Sequence, residues 1–198
     1  MKIILQKYIP EASLNLVINL LDTYPHKLKI VNQRQTKHGD FRLTKGGKYQ
    51  ITVNNNLNQY QFLLTLIHEI AHLATHMNYK RVQPHGKEWK KTFQHLMLPF
   101  LNPEIFPIEV LPHLAKYLKN PKASTDSDVN LALALKQYSE KSDKSFIFEI
   151  PLGENFIFKN RIFRKGNKRR TRYECLEINT KKLYLFNQNA EVDLAENK

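Results

Sequence analysis

Residues 58–77 read NQYQFLLTLIHEIAHLATHM. Asn58 with Gln61 three positions later is an N-terminal capping pattern, and Phe62, Leu63, Leu66, Ile67, Ile70, Leu73, Ala74 and Met77 follow at helical spacing. At 100° per residue these eight fall on one arc of about 140°. Thr65, His68, Glu69, His72, Thr75 and His76 take the opposite side. The stretch therefore predicts one long helix that buries an apolar face and offers a face rich in histidine.

Within that helix, H-E-I-A-H sets His68 and His72 one turn apart, so both imidazoles can reach a single ion. Glu69 neighbours them and is placed to act as general base toward a water that the ion activates. A solvated helix face can hold two histidines and a glutamate with no metal at all. The mid-helix position, opposite the apolar arc and between strands and a second helix, favours the metal reading. A catalytic zinc takes three protein ligands, and the candidates for the third are His76, His85, Glu88 and His95. His76 lies two turns from His68, too far for a straight helix to wrap all three around one ion. His85 follows a chain reversal at Pro84 and can approach from another direction, which makes it the preferred candidate.

Working outward, Leu14, Val17, Ile18 and Leu21 mark a first helix ended by Tyr24-Pro25. Residues 27–55 hold short β-prone runs punctuated by His38-Gly39-Asp40 and Gly46-Gly47, which predicts about three antiparallel strands. Beyond Pro84, Trp89, Phe93, Leu96 and Met97 predict a helix over 86–98, and a short one is expected near 110–118. The polar stretches ASTDSD and SEKSDKS bracket 129–138, which reads as a linker with an amphipathic turn or two. From Ser145 the pattern alternates, through Phe146, Phe148, Ile150, Phe156, Phe158, Tyr173, Cys175, Leu183, Leu185, Val192 and Leu194. The expected class is α+β, with a domain over 1–122, a linker over 123–144 and a basic all-β module over 145–198.

The bulk numbers set limits. The 198 residues include one cysteine, Cys175, so an intrachain disulfide and a thiolate cage for a structural metal are both excluded. No apolar run approaches a membrane span and the first residues do not read as a signal peptide, so no membrane partner is expected, and the single cysteine suits a reducing, cytoplasmic location. A formal charge of +13 favours polyanionic partners. Much of that charge lies in FKNRIFRKGNKRRTRY, residues 158–173, where Arg164, Lys165, Lys168, Arg169, Arg170 and Arg172 occur without an acid. If Gly166-Asn167 is a hairpin turn, these cations project as an arm suited to a phosphate backbone, and Phe158, Phe163 or Tyr173 is free to stack a base. Alternating aromatics are more often core, which is the plainer reading for these three.

The string GDFRLTKGGKYQITVNNNLNQYQFLLTLIHEIAHLATHM, followed by PHGKEWKKTF, resembles the SprT-like metallopeptidase family, which includes the Spartan proteases of DNA-protein crosslink repair. The resemblance covers roughly residues 10 to 100. It implies a zincin-like domain holding one Zn2+ per chain through His68, His72 and His85, with Glu69 as general base. It also implies protein substrates, and among them proteins associated with or crosslinked to DNA, single-stranded DNA included. Many bacterial members end in a cysteine zinc ribbon, which one cysteine cannot build, so the tail here depends on its hydrophobic face. Two other functions compete with a peptidase: a nucleic-acid-binding protein whose metal site is structural or inactive, and a zinc hydrolase acting on other bonds. A purely structural site has no need of Glu69, which argues against the first. Oligomeric state is not legible in the sequence.

Overall fold

The computed structural model describes residues 2–34, 37–139, 144–170 and 172–195. It is α+β and divides into two compact units, one of residues 1–125 with 133–139, the other of 126–132 with 140–198. Among the described residues, no helix is long and apolar enough to cross a membrane.

The first unit runs α1 (Lys2–Leu5), α2 (Leu14–Thr23), β1 (Lys27–Val31), β2 (Gly39–Leu43), β3 (Tyr49–Asn54), α3 (Gln59–Asn78), α4 (Lys87–Met97) and α5 (Leu111–Leu118). Asn58 caps α3, its Oδ1 accepting from Tyr60 N at 3.1 Å and Gln61 N at 3.0 Å. A cap of this kind is worth about 1 kcal/mol. Asn58 Nδ2 also donates to Leu135 O at 2.8 Å, fastening residue 135 to the start of α3. Phe62, Leu63, Leu66, Ile67, Ile70, Leu73 and Ala74 are buried, as the periodicity requires, but Met77 in the last turn is 47% exposed and departs from the expected arc. The polar side of α3 is covered as well, because β2 and α4 pack on the helix: Thr65, His68 and Glu69 are each 7% exposed.

The three-stranded sheet differs from the antiparallel sheet expected. Its order is β1-β3-β2, with β2 antiparallel to β3 but β1 parallel to β3, Lys27 opposite Gln50 and Val31 opposite Asn54. The Gly46-Gly47 hairpin makes β2 and β3 antiparallel neighbours, Gly47 taking φ 72° in the turn. It does not say which side of the hairpin β1 joins. The short connection from Val31 to Gly39 reverses the chain, so a β1 that adds to β3 must run parallel to it. β2 is left as an edge strand, beside α3.

Within residues 123–144, α6 (Val129–Lys136) forms and buries Leu131, Ala132, Ala134 and Leu135. The second unit then builds a six-stranded antiparallel sheet in the order β4-β9-β5-β6-β7-β8, from Ser145–Phe146, Asn155–Phe158, Arg161–Arg169, Arg172–Glu177, Leu183–Asn187 and Glu191–Leu194 as β4 to β9. Its core is Ile147, Ile150, Phe156, Phe163, Cys175, Phe186 and Val192, with Phe158, Tyr173 and Tyr184 packed against it.

Two sequence expectations are corrected there. Gly166-Asn167 is a bulge inside β6, the pairing register shifting between Lys165 and Lys168, and the chain reverses only between Arg169 and Arg172, which pair. A glycine suits a bulge as well as a turn; here a Cβ on Gly166 would stand 2.5 Å from Glu174 O. Leu183, Leu185 and Leu194 are 66%, 52% and 56% exposed, and the inward residue of β8 is Phe186. LYLF is apolar at both parities, so alternation alone does not choose its face.

Candidate metal centre

The site lies where β2, α3 and the start of α4 converge on a cleft of about 430 Å³. Its lining includes Gly39, Asp40, Phe41, His68, Glu69, His72 and His85. One turn of α3 sets His72 Nε2 3.2 Å from His68 Nε2. His85 enters from the connection to α4 with φ 59°, a left-handed conformation that non-glycine residues seldom adopt and that histidine tolerates better than most. That backbone brings its Nε2 to 3.2 Å from His68 Nε2 and 2.9 Å from His72 Nε2. Among the described residues, this is the one group of His, Cys, Asp or Glu placed to share an ion. His76, Glu88 and His95 lie outside the trio.

Burial holds all three rings neutral. Burial, then the His72 and His85 charges, keep His68 well below its usual range; burial, then His85, takes His72 down to about 4; and burial alone lowers His85. Neutral imidazole carries one proton on two nitrogens, so three mutually facing Nε2 atoms cannot all be paired by N–H···N bonds. At least one pair must set two lone pairs or two N–H groups face to face, and the all-acceptor tautomer turns three lone pairs toward one point. A cation resolves that conflict, and tetrahedral bonds of 2.0–2.1 Å would set nitrogens about 3.3 Å apart, close to the spacing found. The donor set therefore fits a zinc-like ion.

Trp89 forms one wall of the trio. Its ring centroid is 4.6 Å from His68, 4.7 Å from His85 and 5.2 Å from His72, and it stacks on Phe93 at 5.0 Å. Trp89 is 1% exposed, and among the described residues its Nε1 has no hydrogen-bond partner. Three histidine rings share one indole, which limits how each ring can turn.

Glu69 faces the same cleft and is seated by β2. The Phe41 N–H donates to its carboxylate. Burial nevertheless pushes the carboxyl up to about 8, the Asp40 charge adding to the rise while the Phe41 bond, Arg34 and Lys37 oppose it. Arg34 and Asn54 fix the chain entering β2: Arg34 Nε donates to Asn54 Oδ1 at 2.9 Å and Asn54 Nδ2 to Lys37 O at 2.9 Å. Gly39, Phe41, Arg34 and Trp89 were not legible as site residues. A glycine at a strand position is the one available signal, since it often marks a close approach.

The expected nucleic-acid residues separate. Arg164, Lys168, Arg169, Arg170 and Arg172 are exposed, with Arg169 Nε 3.1 Å from Glu174 Oε1 and Lys168 Nζ 5.7 Å from the Tyr173 ring centroid. Lys165 is 6% exposed and turns inward, Nζ donating to Phe148 O at 3.3 Å and also to Ile150 O, and lying 4.3 Å from the Tyr173 ring centroid. Phe163 is core, so the three aromatics serve packing rather than an open stacking surface.

Residues 14–113 match the model of the SprT-like family. Protein SprT of Enterobacter sp. (strain 638) is 37% identical over 90 residues, 43% of this chain and 50% of that protein. Protein SprT of Yersinia enterocolitica is 35% identical over 78 residues, 37% of this chain and 44% of that protein. The chain thus spans about half the length of the curated relatives it matches, and no solved structure matches it. With a matched segment that begins at α2, ends in α5 and contains all three histidines of the cleft, the chain belongs to the SprT-like family.

Proposed function

We propose that the first unit is a zincin-like, zinc-dependent endopeptidase in which His68, His72 and His85 hold the ion and Glu69 is the general base. The observation that carries this reading is the convergence of three neutral Nε2 atoms in one cleft with a buried carboxylate. When bound, a zinc ion supplies Lewis acidity, polarising a carbonyl and acidifying a water. The chain's own residues do the rest. Glu69, held by the Phe41 N–H, takes the proton of the attacking water at its carboxylate and passes it to the leaving amine. Trp89 keeps the three rings in place. The free edge of β2, running along the cleft, offers backbone groups to an extended peptide, which favours a polypeptide substrate over other hydrolysable bonds.

Proteins bound or crosslinked to DNA are the proposed substrates. The exposed cations Arg164, Lys168, Arg169, Arg170 and Arg172 support the second unit as a contact for the phosphate backbone. The decisive test is Glu69→Gln in the full chain, assayed on a DNA-bound basic protein. It should keep about one zinc per chain and lose at least about 10²-fold in cleavage rate. Cleavage that survives the substitution removes Glu69 from the mechanism, and a wild-type chain that binds zinc but cleaves nothing removes the peptidase reading.

A further inference from the structure

We propose that the first unit carries its own nucleic-acid site, a lysine-lined groove along the solvent face of α4 that binds the phosphate backbone beside His85. Lys87, Lys90, Lys91 and Gln94 recur at i, i+3, i+4 and i+7, a single stripe about 10 Å long. They line, with His85 and Gly86, a groove of about 380 Å³. Gln94 Nε2 donates to Leu118 O at 2.7 Å and Lys119 O at 3.3 Å, and Lys90 Nζ donates to Asn120 Oδ1 at 2.7 Å. Those bonds bring the exposed Lys119 alongside the stripe. Among the described residues none of these four lysines forms an ion pair, and Glu88 is the one acid on α4. Four cations without carboxylate partners on one face carry an uncompensated positive field, and a polyanion gains from it by counterion release.

The surface favours a phosphate chain over an anionic bilayer. Attachment to a membrane surface needs apolar side chains to insert beside the charges. The apolar residues of α4, namely Trp89, Phe93, Leu96 and Met97, are all buried, and the groove lining has no exposed apolar anchor. A concave cationic surface instead suits a ridge of phosphates. His85 borders both this groove and the cleft, so a strand lying in the groove passes along the cleft rim. Proteins held on that strand are thereby brought to Glu69. The binding itself does not depend on the peptidase reading.

The test is oligonucleotide binding by the full chain over a salt series, followed by anisotropy of labelled single strands and duplexes. Lys87→Glu/Lys90→Glu/Lys91→Glu should weaken binding at least about tenfold and flatten the dependence of log affinity on log salt by about two to three, as expected for the loss of some three phosphate contacts. Zinc content should stay at the wild-type level, which checks the fold. Should that variant fail to fold, the Gln triple variant decides, with the same slope change expected. An unchanged affinity and slope would overturn the proposal, as would a wild-type chain that binds no oligonucleotide. So would losses seen only on neutralising Arg164, Lys168 and Arg170, or lost binding to anionic vesicles with oligonucleotide binding intact.

Discussion

Gly39 lies against Glu69 with no room for a methyl group between them: a Cβ there would stand 2.6 Å from Glu69 Oε1 and 2.8 Å from its Cγ, and 2.7 Å from Thr65 Cγ2. Its φ is not left-handed, so alanine meets no backbone penalty and the whole effect of Gly39→Ala is spatial. Thr65 is β-branched on a buried helix face and cannot yield. Glu69 must therefore swing, away from the Phe41 N–H. The three histidines are untouched, so metal content should hold while peptide cleavage falls by about 10²-fold, the cost of misplacing a catalytic group by about 1 Å. Wild-type cleavage rates in Gly39→Ala would show that β2 does not seat the base.

This dependence explains what the sequence could and could not say. The helix of residues 58–77, its cap, and the relation of His68 to His72 are local properties of spacing, and each was legible. The burial of Glu69 is not local. It follows from β2 and α4 closing over a face that looks solvated on a helical wheel. The parallel β1 was hidden for the same reason, since a hairpin signal names one neighbour and leaves the other edge open. In the second unit, LYLF offered no parity, and Gly166-Asn167 announced irregular backbone without saying whether it turns or bulges.

Trp89 is the one tryptophan of the chain and packs on all three histidine rings, so its emission reports directly on their state. Titrating zinc into metal-free protein should shift Trp89 fluorescence and saturate at one equivalent. In Trp89→Phe, the rings lose part of their wall, and zinc affinity should fall by about 10- to 100-fold, as for other residues that orient ligands from behind. Emission that stays constant while zinc binds would place the ion elsewhere.

Lys165 separates structural from binding roles on β6. Burial lowers its pKa, and its Nζ satisfies two carbonyls in the core of the second unit. Lys165→Met leaves those acceptors unpaired and should cost about 1–3 kcal/mol of stability, with nucleic-acid affinity unchanged. Lys168→Ala, on an exposed side chain, should do the reverse. Thermal unfolding and oligonucleotide titration of the two variants decide it; a Lys165→Met chain that melts as wild type but binds weakly would mean that the amine faces solvent.

Arg161 grips Glu177 with two bonds, Nε to Oε1 and Nη2 to Oε2, each 2.5 Å, and Thr180 Oγ1 donates to the same carboxylate. The Arg161 and Thr180 bonds hold the Glu177 carboxyl down to about 2, against an ordinary value of 4.5. A carboxylate whose folded pKa is depressed releases its proton more readily folded than unfolded, so the stability it confers is complete above pH 4.5. It is lost as pH falls from there toward 2. Amide protection in β6 and β7 of the full chain should therefore decline across that window. Glu177→Gln, which keeps the shape but cannot titrate, should be less protected at pH 7 and nearly flat between pH 4.5 and 2. If the variant declines as steeply as the wild type, the acid sensitivity of the second unit arises from another carboxylate and not from the Arg161–Glu177 pair.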